Sequence, residues 1–281
     1  MEKLEKTIER WCCADFAFDG PTEGNPFQDV RLEATFVCGA REVRAPGFYD
    51  GDGRYVIRFM PDAPGTWHWH THSNRQELDA RTGAFSCVPA SDGNHGPVRI
   101  ASSRRFAYED GTPYHPFGTT CYAWTHQGDA MEERTLRSLE TSPFNKIRMC
   151  VFPKHYTFNT NEPELYPFEG RPDTGWDTTR FNPAFFRHLE KRIADLLERG
   201  IEADLILFHP YDRWGFAALG AEADDRYLRY AVARLAAYRN VWWSFANEYD
   251  LMRSKTLSDW ERMAALVADA DPWQRLRSIH H

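Results

Sequence analysis

Over much of the first hundred residues, apolar and polar positions alternate with a period of two. Tyr55, Ile57 and Phe59 fall on one side of a short run, which predicts a strand with one buried face. Thr35-Phe36-Val37 is a second such run and ends at Gly39. Asp50-Gly51-Asp52-Gly53 supplies a tight turn before the Tyr55 run. Gly65-Thr66 leads into Trp67-His68-Trp69-His70, where indoles and imidazoles take opposite faces. Short strands separated by turn residues predict an antiparallel, Ig-like β-sandwich over residues 1–97. Residues 1–10 differ: they form a charged stretch that reads as helical.

The pattern changes near residue 98. Residues 105–114 read as a hairpin turning at Asp110-Gly111, placed as a lid over the bottom of the C-terminal part. Beyond it, strands alternate with helices, the pattern of a parallel α/β sheet. Strands are expected at 116–122, 146–152, 203–208 and 241–246, and Leu276-Arg277-Ser278-Ile279 starts a fifth. The first helix is capped at Asp129 and carries Leu136 and Leu139. The second has Asn182 as N-cap and Pro183 at its first position. Its apolar stripe is Phe186, Leu189, Ile193, Leu196 and Leu197, and Gly200 stops it. Leu228, Ala231, Val232 and Leu235 mark a third helix, and Ser258 with Glu261 reads as the capping box of a fourth. The Pro-, Gly- and aromatic-rich stretch up to Asn182 reads as a long loop.

A whole (β/α)8 barrel takes roughly 250 residues. Residues 98–281 are therefore expected to be the first half of a TIM barrel, truncated after strand five. The rival is a doubly wound open sheet, which would carry a Gly-rich loop after its first strand. Thr119-Thr120-Cys121-Tyr122 is not such a loop.

The 281 residues suit one large or two smaller domains. A net charge of −7 argues against a nucleic-acid partner and against a polybasic membrane contact. There is no apolar run of ~18 residues and no apolar core to a leader near the start, so a cytoplasmic protein is expected. Six cysteines without a CxxC pair read as free thiols, with no metal and no cofactor. His68, His70 and His72 share a strand face and could ligate zinc. The favoured account turns them to solvent, with Trp67 and Trp69 inward. Aromatic residues at 15%, with ten Trp, suit sugar rings as well as cores.

In a barrel, chemistry sits at the C-terminal ends of strands. Those ends carry Tyr122-Ala123-Trp124, then Lys154-His155-Tyr156, then His209-Pro210-Tyr211-Asp212, then Ala246-Asn247-Glu248-Tyr249-Asp250. Glu248 could protonate a leaving oxygen, and Asn247 beside it could hold a sugar hydroxyl. The plainer account is that the pair caps the next segment. Arg148, inside the second strand, could keep a catalytic carboxylate ionised or form a structural ion pair. His209 could contact substrate or bond a neighbouring strand. Trp124, Tyr156, Tyr211, Trp214 and Tyr249 could be sugar-stacking walls, some of them serving only loop packing.

Asn25-Pro26-Phe27, Gly47-Phe48-Tyr49-Asp50-Gly51-Asp52-Gly53, Arg58-Phe59-Met60-Pro61 and Gly65-Thr66-Trp67 resemble the β-sandwich domain that precedes apiosidase-like barrels. Asn94-His95-Gly96-Pro97-Val98 and Tyr108-Glu109-Asp110-Gly111-Thr112-Pro113 resemble the junction in those proteins. Asn145-Lys146-Ile147-Arg148 and Ala246-Asn247-Glu248 resemble the second and fourth strands of retaining clan A glycoside hydrolases. The resemblance implies a glycoside hydrolase with a carbohydrate substrate, acting by double displacement. Glu248 matches the acid/base, Asn247 the neighbouring sugar contact, and Arg148 the arginine that supports the nucleophile. The family's nucleophile lies on a seventh strand, beyond the five expected here. The alternative is a non-catalytic carbohydrate-binding or split-partner protein lacking the barrel's second half.

Open edges of a half barrel invite pairing with another chain. The chain by itself is expected to self-associate or to be unstable unless the C-terminal half is supplied. Sedimentation and thermal melting test this, and a monodisperse, cooperatively melting monomer would contradict it.

Overall fold

The computed structural model describes residues 6–281 and is a mixed α/β structure. Its first part is β1 (Thr7–Glu9), β2 (Ala14–Asp19), the single-turn α1 (Pro26–Asp29), β3 (Leu32–Cys38), β4 (Arg41–Tyr49), β5 (Arg54–Phe59), β6 (Gly65–Ser73) and β7 (Thr82–Val88). These strands form one seven-stranded sheet in the order β1-β7-β6-β3-β4-β5-β2. Strand β4 pairs with β3 through residues 41–46 and with β5 through residues 47–49. The handover falls at Pro46-Gly47. A Cβ on Gly47 would lie 2.8 Å from Leu32 Cγ, so only glycine lets the strands approach this closely. The partner change brings β5 over β3, and Phe36 stacks on Phe59 with centroids 3.8 Å apart. Phe16, Phe85 and Trp67 pack around that pair. Trp67 and Trp69 are buried, His68 and His72 are exposed and His70 is partly so, as alternation requires.

Two expectations need correction here. Residues 7–9 are a strand paired parallel with residues 86–88, not a helix. Only Ile8 of the three is buried; the charged local pattern carries no sign of the sheet edge that captures it. Residues 1–5, read with them as helical, lie outside the described residues. Strand β5, in turn, is buried on both faces, with Val56 at 1% and Arg58 at 7% exposure. Its second face is covered by the helical part of the molecule.

A three-stranded sheet of β8 (Val98–Ser102), β9 (Arg105–Tyr108) and β10 (Pro113–Tyr114) comes after β7, in the order β10-β9-β8. Its hairpin turns at Asp110-Gly111, where Asp110 Oδ1 accepts from Thr112 N at 2.8 Å. It lies under the N-terminal ends of the parallel strands: Phe106 meets Trp242, and the Tyr114 hydroxyl donates to Asn145 O at 3.1 Å.

The rest is β11 (Gly118–Thr120), α2 (Asp129–Glu140), β12 (Lys146–Cys150), the hairpin β13 (Phe168–Arg171) and β14 (Gly175–Phe181), α3 (Pro183–Glu198), β15 (Glu202–Phe208), α4 (Ala221–Leu235), β16 (Val241–Ala246), α5 (Leu257–Ala270) and β17 (Arg277–Ser278). Five strands form a parallel sheet in the order β11-β12-β15-β16-β17. Every residue of β15 is buried, as in a parallel strand covered on both faces. Asn182 caps α3 by accepting from Ala184 N at 3.1 Å, and Gly200 comes just after the helix at φ +67°. Three cap and loop expectations fail. Gly128, not Asp129, is the N-cap of α2. Thr256 and Asp259, not Ser258 and Glu261, make the capping box of α5, because the helix already starts at Leu257. The expected long loop before Asn182 contains the β13–β14 hairpin. No helix among the described residues is long and apolar enough to cross a membrane.

Buried charge joins the antiparallel sheet to α3 and α4. Arg58 on β5 binds Asp15 at 2.7 Å and Glu190 of α3 at 3.0 Å, and donates to Arg234 O at 2.8 Å. Arg234 of α4 binds Glu190 at 2.5 Å and Asp50 of the β4–β5 turn at 2.9 Å. Glu190 thus holds two guanidinium groups that are almost fully withdrawn from water. Glu190→Gln leaves both short of charge, and a loss of about 3–5 kcal/mol is expected in urea unfolding. A loss under about 1 kcal/mol, the worth of a surface pair, would contradict this account.

Candidate active site

The parallel ladder continues one residue past β16: Asn247 N donates to Phe208 O at 3.0 Å. Asn247 is buried. The next residue, Glu248, takes a left-handed conformation at φ +56°, ψ 58°, which costs a non-glycine residue about 1–2 kcal/mol. Its surroundings hold it there. His280 N donates to Ala246 O at 3.1 Å, Tyr249 N donates to His280 O at 3.0 Å, and Leu251 N donates to Glu248 O at 3.0 Å. Backbone strain of this kind gathers at functional positions.

Two tyrosine hydroxyls fix the side chains of this pair. Tyr122, just beyond β11, donates to Asn247 Oδ1 at 3.1 Å. Tyr211, beyond β15, donates to Glu248 Oε2. The carboxylate beside it pushes the Tyr211 phenol up to about 12. Lys154, beyond β12, is buried. Its Nζ lies over three rings: Tyr122 at 3.6 Å, Tyr211 at 4.1 Å and Tyr156 at 4.7 Å. Burial holds the Lys154 ammonium below its usual range. Four strand ends thus contribute to one cluster.

Arg148 reaches across β15 from β12. It donates to Ser244 Oγ at 3.2 Å and lies 3.6 Å from Asp204 Oδ2, which Lys146 also binds at 2.5 Å. The expected ion pair is present, and it fixes Arg148 on the sheet. His209 is fully buried and its Nε2 is 3.1 Å from Phe152 O, so it ties two strand ends together. Burial pushes its pKa down to about 4.

Of the residues singled out in the sequence, the structure places Tyr156, Tyr211, Asn247 and Glu248 in this cluster and Arg148 on the sheet, bound to Ser244 and Asp204. Others stand apart. Trp124 is 3% exposed and donates to Glu132 O at 3.2 Å, so it packs the start of α2 instead of offering an open ring. Trp214 is buried and bonded to Glu162 at 2.6 Å. Tyr249 packs on Trp260 and His281. Sequence reasoning places Tyr122 and Lys154 at strand ends and gives neither a role. The available signal is a lysine and a tyrosine standing where strands otherwise run apolar.

Among the described residues, one group of side chains has metal-ligand chemistry: atoms of Asp129, Glu132 and His188 lie within 4.8 Å of one another. The Arg192 guanidinium already stands there, 2.5 Å from Glu132 and 3.0 Å from Asp129. The cationic position is filled by the chain itself.

A parallel sheet with a polar cluster at its strand ends, carrying this family's sequence features, defines a glycoside hydrolase-like protein. The chain belongs to the family described as apiosidase-like, catalytic domain, which matches residues 101–281. Residues 7–74 match a domain of unknown function, DUF5060. A crystal structure from Bacteroides vulgatus ATCC 8482, provisionally described as a glycoside hydrolase, is 50% identical and covers 98% of this chain with a TM-score of 0.95. This chain spans 56% of that protein. A glycoside hydrolase family 5 structure from the same strain is 14% identical, with a TM-score of 0.50 over 66% of this chain and 40% of its own. That likeness concerns the fold alone. A search of curated proteins finds no match.

His209 and His126 are both pushed down to about 4 by burial. Unfolding lets them take up protons first, so stability is lost as pH falls from about 6.5 to about 4, by about 3 kcal/mol for each imidazole. Glu202, pushed up to about 7 by burial, works the other way. His209→Gln removes one imidazole from this balance. Urea titrations are expected to show the variant losing less stability than the unsubstituted protein between about pH 6.5 and about pH 4.5. Equal slopes would contradict the assignment.

Proposed function

We propose that the protein is a retaining glycoside hydrolase in which Glu248 is the general acid/base. The observation that carries this is the Asn247-Glu248 pair at the end of β16. The carboxylate is held by the Tyr211 hydroxyl and the backbone turns left-handed to present it. Tyr122 takes the Asn247 carbonyl oxygen, which leaves the amide NH2 as the group that donates to a sugar hydroxyl. The family match supports a carbohydrate substrate.

In this mechanism Glu248 protonates the glycosidic oxygen as a second carboxylate attacks the anomeric carbon. Glu248 then removes a proton from the water that opens the glycosyl-enzyme. The family resemblance puts that second carboxylate on a seventh strand, and the five parallel strands described do not include it. Arg148, anchored by Asp204 and Ser244, is the residue that supports the nucleophile.

The same reading makes residues 98–281 the first five strands of a (β/α)8 barrel and the preceding part an Ig-like sandwich. Strand order supports it. Each new parallel strand joins beside the last, as in a barrel, whereas a doubly wound sheet reverses direction at a switch point.

In a protein that includes the strand bearing the second carboxylate, Glu248→Gln is expected to slow hydrolysis by roughly 10²–10⁴-fold, measured on a panel of aryl glycosides with poor leaving groups. Dinitrophenyl glycosides need less protonation and are expected to lose less. Unchanged turnover of both kinds would sink the assignment. Saccharide binding without turnover in an unsubstituted protein that includes that strand would favour a carbohydrate-binding role instead.

A further inference from the structure

Lys154 is the charged member of the cluster that the mechanism leaves without a task. It is 3% exposed. Among the described residues, its ammonium has no ion pair or side-chain hydrogen bond; what it faces is aromatic. The Tyr122, Tyr211 and Tyr156 rings lie 3.6, 4.1 and 4.7 Å from Nζ. Two of these rings are the ones whose hydroxyls hold Asn247 and Glu248. The third is set by its neighbours: Tyr156 N donates to Asn159 O at 3.0 Å, and Asn159 Nδ2 donates to Lys154 O at 2.7 Å.

We propose that Lys154 is a positioning residue: its ammonium gathers the Tyr122 and Tyr211 rings so that their hydroxyls fix Asn247 and Glu248 in working orientation. A cation over a ring is attracted to the ring's negative face. It also draws electron density from the phenol, which makes the hydroxyl a stronger donor. One charge thereby acts on two acceptors that come from the same strand end. The charges facing it are few: Glu248 and Arg148 act on it through space, with the Cys150 thiol beside it. Burying an ammonium against three rings costs solvation. The fold accepts that cost at the strand ends where Glu248 sits.

The proposal rests on Glu248 as acid/base for its meaning in catalysis, so its primary test is structural. Lys154→Met keeps an unbranched side chain one heavy atom shorter and removes the charge. Crystal structures of this variant are expected to show the Tyr211 hydroxyl off Glu248 and the Tyr122 hydroxyl off Asn247. Lys154→Arg keeps a charge that stacks on aromatic faces and is expected to retain both bonds. If the Met variant does not fold, Lys154→Gln serves as the neutral variant. Both hydroxyl bonds intact in a folded neutral variant would overturn the proposal.

The kinetic counterpart uses the same aryl glycosides. Lys154→Met is expected to lower kcat about tenfold, the loss of one cation–ring interaction, with KM changed less than about twofold and Lys154→Arg largely restoring kcat. A packing role alone would be satisfied by Met and would not need the charge. The two readings fail separately. If Glu248→Gln leaves turnover intact while Lys154→Met frees both tyrosines, the acid/base assignment falls and the positioning role stands. If Glu248→Gln abolishes turnover and Lys154→Met leaves both bonds in place, the positioning role falls alone.

Discussion

A guanidinium can be taken out of water only if carboxylates or carbonyls go with it. Among the described residues, four arginines are buried: Arg58, Arg192, Arg234 and Arg275. Each joins parts of the chain that are far apart in sequence, Arg192 of α3 by binding Glu132 of α2. Arg58 and Arg234 share Glu190, and Arg275 donates to Ala236 O while Trp273 beside it donates to Met60 O. Hydrophobic contact between a sheet and two helices would tolerate sliding. Charge pairs that are costly to break do not, so the antiparallel sheet has one position against α3 and α4. Those helices flank β15 and β16, and the ends of these strands carry Tyr211 and Glu248. The rigidity of the site therefore begins in an ionic contact well away from it.

Given that frame, the site needs little added structure. Four parallel strand ends bring Tyr122, Lys154, Tyr211 and Glu248 together without a long loop. Each side chain is held by a partner from another strand, as in Tyr122 on Asn247 and Tyr211 on Glu248. Strand ends in a well-packed sheet move little, and geometry built on them is better held than geometry built on loops. The strained backbone at Glu248 fits this view. A left-handed glutamate persists because the His280 main chain bonds both sides of it.

Much of this was legible in the residues, for physical reasons that differ by element. Strands β15 and β16 are apolar runs bounded by polar residues, and α3 has its cap, its proline and its terminal glycine, so local chemistry and tertiary packing agree there. The Asn247-Glu248 pair stood out because two polar residues come directly after an apolar strand. The misses share one cause: each depends on a partner that local sequence does not contain. Residues 7–9 become a strand because β7 offers an edge. The face of β5 carrying Val56 and Arg58 is buried because α4 covers it. The hairpin β13–β14 closes where a Cβ at Gly170 would run into Gly175 O, a contact visible only after the strands pair. Trp124 reads as a sugar wall from its place after the first parallel strand, and the packing of α2 takes it inward.

Lys154 and His209 show how neighbouring strand ends assign opposite roles to basic side chains. Both are buried, and burial favours the neutral form of each. His209 can accept that outcome, since a neutral imidazole still bonds Phe152 O and joins two strands. Lys154 has no such bond to fall back on, and its nearest neighbours are ring faces, whose attraction exists only for the charged form. The same desolvation thus leaves a neutral tie at the end of β15 and a charge-dependent clamp at the end of β12. The proposed acid/base role of Glu248 would be served by that division. The neutral residue keeps the frame closed, and the charged one acts on the two tyrosines that touch Asn247 and Glu248.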